Sequence, residues 1–147
     1  MAGVSLEIAL DDILTGETLA RIEAAVADMT EPFDDIGDAL VTSTKMRFET
    51  GVGADGKRWP VSLAALRRGG QTLIDQRHLY DSIVHEPDRH GVSVGSNMAY
   101  ARIHQLGGKA GRGHAITFPA RPYLGVDDAD AAMMVETVEG FLRRAIA

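Results

Sequence analysis

Apolar positions recur along the chain at two different periods, and the change from one to the other divides it into elements. In Val4-Ser5-Leu6-Glu7-Ile8-Ala9-Leu10, the residues Val4, Leu6, Ile8 and Leu10 alternate with their neighbours, which predicts a half-buried strand ended by Asp11-Asp12. Helical spacing follows. Leu19, Ile22, Val26 and Met29 fall on one stripe and predict a helix that starts near Thr15-Gly16 and turns this stripe to the core. Thr30 can cap a second helix, with Glu31 and Pro32 in its first turn. Phe33, Ile36 and Leu40, continued by Thr44 and Phe48, make its inner face, and Gly51 is its stop. Glu31, Asp34, Asp35 and Asp38 crowd its start and Lys45 and Arg47 its end, the order a helix dipole favours.

The middle of the chain breaks into shorter pieces. Residues 62–68 read as a short helix stopped by Gly69-Gly70, residues 71–75 as extended, and the stretch around Leu79 and Ile83 as another short helix capped near Asp75. Residues 85–87 and 91–96 read as two strands around the turn Asp88-Arg89-His90-Gly91. On a helical turn after Asn97, Tyr100, Ile103 and Leu106 face inward together. His104 sits beside them as a hydrogen-bonded structural residue, with Gln105 as a second polar anchor. Residues 107–113 hold four glycines with Lys109 and Arg112 and predict a flexible basic loop. Residues 115–118 read as a strand, and Pro119 and Pro122 hold Ala120-Arg121 extended. Asp127 starts a last helix with Ala131, Met134, Val135, Val138, Phe141, Leu142 and Ala145 on its inner stripe. Strands and helices segregate rather than alternate. The expected fold is therefore α+β, an antiparallel sheet packed against helices in a single domain over residues 1–147.

Composition narrows the chemistry. The chain has no cysteine, so it forms no disulfide and no thiolate metal site. No apolar run reaches the length of a membrane span, and the start lacks a basic-then-apolar signal, so synthesis in a cytoplasm with no membrane partner is expected. Charge is uneven: residues 1–40 hold ten acids and one base, whereas residues 41–125 hold twelve bases and six acids. Solvated helix faces account for most of this. The sharper consequence is that an acidic face of one copy meets a basic face of the next.

Three motif matches fail on context. Gly51-Val-Gly-Ala-Asp-Gly56 matches a dinucleotide fingerprint, but a helix precedes it and Lys57-Arg58-Trp59-Pro60 follows, so an exposed turn tipped by Asp55-Gly56 is expected. His85-Glu86 lacks the second histidine of a zinc helix, and Pro87 breaks any helix there. Residues 103–110 fail the phosphate-loop pattern at Ile103 and Ala110. No cofactor, no metal and no catalysis are therefore expected. A small hydrolase using His104, or a nucleic-acid contact through the 107–114 loop, stand as alternatives.

What remains is the stretch YARIHQLGGKAGRGHAITFPARPYLG, residues 100–125. Its ends carry aromatics, a His-Gln pair and an arginine between rigid turn residues, the chemistry of a docking surface held on a scaffold. The candidate interaction residues are Tyr100, His104, Gln105, Lys109, Arg112, Arg121 and Tyr123, together with Trp59. The last is read first as a core anchor and alternatively as an interface anchor. Arg121 is expected to meet a carboxylate through its guanidinium fork, within the chain or across a subunit boundary.

Trp59-Pro60, LYDSI (79–83), YARIHQLGG (100–108) and PARPYLG (119–125) occur in that order. With them the chain resembles the phage virion-morphogenesis family, also called tail-completion proteins, of Mu-like and P2-like tailed phages. It departs from the family where Gln76-Arg77 replaces a frequent Thr-Gly pair. The resemblance implies an assembly protein of the tail or neck, found in the virion after assembly in a bacterial cytoplasm. It implies a ring of copies acting by binding alone, with neighbouring tail or head-tail connector proteins as partners and a transient DNA contact as a further one.

Overall fold

The computed structural model describes residues 16–73 and 77–147. The expected strand over residues 4–10 and the cap at Asp75 lie outside these residues.

Helix α2 (Thr30–Thr50) is the axis of the fold. Pro32, Ile36, Gly37, Thr44, Arg47 and Phe48 recur at helical spacing and are all buried, so one face is covered from end to end. Its first turn is closed by Asp28 rather than by Thr30. The Asp28 carboxylate accepts from the Thr30 amide at 3.0 Å and from the Thr30 hydroxyl at 2.6 Å. Gly51 ends the helix in the left-handed region at φ 71°, and its amide donates to the Arg47 carbonyl at 2.8 Å.

Two kinds of element pack on this axis. Helices α1 (Gly16–Ala27) and α6 (Asp128–Ile146) pack on each other, and α6 also packs on α2. Leu19 and Ile22 of α1 are half-buried, while Val26, expected inside, points to solvent. In α6 the half-buried stripe is Met133, Met134, Thr137, Val138, Phe141, Leu142 and Ala145, whereas Ala131 and Val135 face outward. The stripe is set by Asp130, the buried residue of α6. Against α2 also lies a hairpin of β1 (Val84–Pro87) and β2 (Val92–Gly95), antiparallel with His85 opposite Val94. Its turn is closed by Asp88, whose carboxylate accepts from the amides of His90 and Gly91. The hairpin approaches so closely that a Cβ on Gly37 would stand 2.4 Å from the His85 ring and 2.7 Å from Val92. The helix tolerates a glycine there because of that approach.

Short helices α3 (Leu63–Arg68) and α4 (His78–Asp81) carry Ala65 and Leu79 into the interior. The Ser62 hydroxyl caps α3 by accepting from the Ala65 amide at 3.0 Å, and Gly69 ends it at φ 66°. Phe48, Trp59, Leu79, Ile83, Ala101 and Tyr123 form the buried cluster. Within it, Phe48 meets Trp59 edge-on at 5.8 Å and Tyr123 at 5.1 Å. The architecture is α+β in a single domain, its antiparallel pairing split between two separate two-stranded sheets.

Candidate interaction site

Residues 100–125 leave the core, turn over and return to it. Helix α5 (Ala101–Leu106) buries Ala101, leaves Leu106 largely in solvent and Tyr100 partly so, and the inward trio expected of Tyr100, Ile103 and Leu106 is not formed. The reason is the length of the helix. Six residues present one narrow buried face, and Ala101 occupies it. The next segment is not the unpaired loop the glycines suggest. Strand β3 (Gly108–Ala110) pairs antiparallel with β4 (Ile116–Phe118), Lys109 lying opposite Thr117, with a 3-10 turn over Arg112–His114 between them. Ladder hydrogen bonds to β4 offset the ordering cost of the glycines. Gly107 is required: at φ 71° a Cβ there would lie 2.7 Å from the Ala120 amide nitrogen.

The returning PARPYLG segment is fastened by its own Tyr123 and by three side chains from elsewhere in the sequence, Arg47, Trp59 and Gln105. Gln105 accepts from the amides of Tyr123 at 3.0 Å and Leu124 at 2.9 Å, and donates back to the Leu124 carbonyl at 3.1 Å, so one amide group acts as a strand partner. Trp59 donates its indole N–H to the Pro122 carbonyl at 3.1 Å. Tyr123 is buried, and its hydroxyl donates to the Ala101 carbonyl at 2.7 Å. Burial raises its phenol above the ordinary value. Arg47 supplies the remainder. Its guanidinium donates to the carbonyls of Tyr123 at 3.0 Å and Gly125 at 3.1 Å, and to Asp130 at 2.6 Å.

Asp130 completes a capping box with Asp127, which ties the start of α6 to the same joint. Burial alone would raise the Asp130 carboxyl. The Asp127 amide, the Ser43 hydroxyl and the Arg47 guanidinium outweigh it and hold the group below the usual carboxylate range. Arg47 was absent from the sequence-based candidates. The available signal was its place in Thr44-x-x-Arg47-Phe48, on the buried stripe of α2.

The candidates thus separate into two sets. Trp59, Gln105 and Tyr123 build the joint from inside, Trp59 as the core anchor. Tyr100, Lys109 and Arg112 are exposed. His104 and Arg121 lie between, in the wall of a cleft of about 460 Å³ that opens between α3, α5 and β4. Arg121 is 5% exposed, donates from Nε to the Pro60 carbonyl at 2.6 Å, and is pinned through its amide to the His104 carbonyl at 2.8 Å. It is therefore no solvated turn residue. Neither does it meet a carboxylate within ion-pair distance among the described residues. Burial pushes its guanidinium below the ordinary value.

His104 stands edge-on to Tyr100 at 5.8 Å and to Phe118 at 5.9 Å. Its Nδ1 is buried with no hydrogen-bond partner, so the ring is held by aromatic packing rather than by the bond expected there. Burial, and then the nearby Arg121 charge, lower its pKa. Ser62 shares the cleft, but its hydroxyl is engaged as the α3 cap, and His104 Nδ1 lacks the carboxylate that orients a general base. Among the described residues no group of His, Asp or Glu could hold a metal ion, and no helix is long and apolar enough to cross a membrane.

The polar side chains of this small α+β scaffold fasten the returning 119–125 segment, and a cleft lined by Arg68, His104 and Arg121 lies beside it. The phage virion morphogenesis family matches residues 11–143, and the chain belongs to that family. It is 32% identical over 125 residues to Mu-like prophage FluMu G protein 2 of Haemophilus influenzae, covering 85% of this chain and 86% of that protein. No solved structure matches the chain.

Proposed function

We propose that this protein is a non-catalytic part of the virion that completes the tail or joins tail to head, and that it works as a ring of identical copies. Membership of the phage virion morphogenesis family over almost the whole chain carries this reading. The geometry supports it. The 100–125 segment is fixed to the core by directional bonds at both ends, so Tyr100, Lys109 and Arg112 are displayed on a rigid mount, and ordering them on contact costs little. Uneven charge suits a closed head-to-tail assembly, in which each copy offers one face and receives another.

Electron microscopy of particles made without the protein tests the reading. Complete heads beside separate, finished-looking tails place it at the joining step, and tails with abnormal ends place it in completion. Normal infectious particles would overturn it. The exposed Lys109 and Arg112 on the β3–β4 hairpin favour a second reading, a contact with DNA in the head-tail passage. That reading requires salt-dependent retention of the purified protein on DNA.

A further inference from the structure

The Arg121 cleft has the character of an incomplete ion pair. A guanidinium taken out of water is costly unless a counter-charge accompanies it. Arg121 is 5% exposed, and a single carbonyl, that of Pro60, takes its Nε proton. No carboxylate among the described residues approaches it. The cleft is open to solvent, and Arg68, which also donates to the Gln71 carbonyl, adds a second cation to its lining. Leu63 and Leu66, on the same α3 that carries the cleft residues Ala64 and Arg68, remain exposed. Such an arrangement receives a carboxylate carried on a partly apolar protein surface.

The same chain carries the matching group at its other end. Asp35 and Asp38 are exposed, lie three residues apart on α2 and so share a face, and have no side-chain partner among the described residues. Their neighbours are already engaged: Asp34 meets His85 at 2.8 Å, and Glu31 meets Arg144 at 3.4 Å. They cannot serve their own cleft. Phe48, which packs under the PARPYLG joint, is thirteen residues further along the same helix, about 20 Å away at the helical rise.

We infer that the Arg121 cleft is the subunit-subunit socket, and that it takes the Asp35/Asp38 face of α2 from a second copy of this chain. Donor and acceptor at opposite ends of one helix make a heterologous contact, the kind that propagates until it closes. The inference rests on the ring reading above and names its contact.

The absence of cysteine makes a direct test available. A chain carrying Asp35→Cys together with Ala64→Cys, at the cleft wall, should form a ladder of disulfide-linked oligomers on mild oxidation, both in concentrated solution and in assembled particles. Each single variant should give dimers at most. Asp35→Asn with Asp38→Asn, two surface changes that leave the core untouched, should weaken self-association in sedimentation by about tenfold or more. Arg121→Gln should do the same if it folds, and the surface pair decides the matter if it does not.

Undiminished self-association of the Asn pair, with no ladder, would overturn the socket while leaving the ring. A chain that is monomeric in solution and uncrosslinked in particles would overturn both. If Asp75→Asn reproduces the loss and the Asp35/Asp38 pair does not, the counter-ion comes from the same chain and the inference falls. If Arg121→Gln loses attachment to another tail protein with self-association intact, the occupant is not a second copy, and the inference falls again.

Discussion

The two ends of α2 are built differently. Around its last two turns, Arg47 and Phe48 are joined by Trp59, Gln105 and Tyr123 in a joint where ring packing and directional hydrogen bonds reinforce each other. In the two helices that pack beside α2 the burial is shallower. Helix α1 has no buried residue, and α6 has Asp130, which itself belongs to the joint. A buried network of charges and carbonyls specifies one geometry, because a displaced partner leaves an unsatisfied group behind. A half-buried apolar stripe accepts small displacements at little cost. The end bearing this joint carries the cleft and the β3–β4 hairpin, so the display surface is mounted on the more specifically bonded part of the molecule.

The comparison breaks most sharply at Arg47. Arg47→Met should destabilise the chain by about 3–5 kcal/mol in denaturant unfolding, since it strands the buried Asp130 carboxylate and two carbonyls. Pairing it with Asp130→Leu should recover much of that loss, because a well-packed apolar pair avoids the stranded charge. The same pair predicts an acid limit. Asp130 has a folded pKa below its unfolded value of 3.8, so its contribution is complete above that value and is lost as pH falls through the folded one. An acid titration of wild type should show this loss, and the double variant should lack it.

Gln105→Leu comes next. It leaves the amides of Tyr123 and Leu124 without an acceptor and should cost about 2–3 kcal/mol. Amide exchange should speed at Tyr123 and Leu124 while α1 is unaffected. Uniform acceleration across the molecule would mean that joint and helical layer form one cooperative unit.

Gly37→Ala probes where the hairpin meets α2. Alanine favours the helix by about 1 kcal/mol, but its Cβ would need the space now held by the His85 ring and Val92. Overpacking of this kind costs about 1–3 kcal/mol, so after the helix gain a net loss of up to about 2 kcal/mol is expected. A stabilised variant would show that the hairpin can shift, contrary to the tight contact described above.

What the sequence made legible follows the reach of each signal. The helical stripe of α2, the Gly51 stop, the Asp88 hairpin and the short helix bearing Leu79 depend on neighbours a few residues apart, and all are present, although that helix ends at Asp81 and leaves Ile83 beyond it. The role of Arg47 depends on carbonyls 76 and 78 residues away, and no local pattern carries that information. The 107–113 segment was misread because glycine content reports the cost of ordering and says nothing of the strand that offsets it. Of the candidate site, the residue types were legible in the sequence. Which of them point inward was not, because α5 is too short for its periodicity to select a face.

Helix α6 offers the mildest test, and it bears on that same limit. Spacing places Ala131 and Val135 on the inner stripe, but the helix is rotated so that Asp130 reaches Arg47, and Val135 is left 58% exposed. The rotation is reasonable on magnitudes. An unpaired buried charge costs several kcal/mol, whereas fully burying one valine gains about 1.5 kcal/mol or somewhat more. Val135→Thr should therefore change the stability of the chain by no more than about 0.5 kcal/mol. The half-buried Val138 on the adjoining turn, replaced by threonine in parallel, should cost visibly more. Equal losses at the two sites in denaturant unfolding would mean that the apolar stripe, and not the Arg47–Asp130 bond, sets the orientation of the helix.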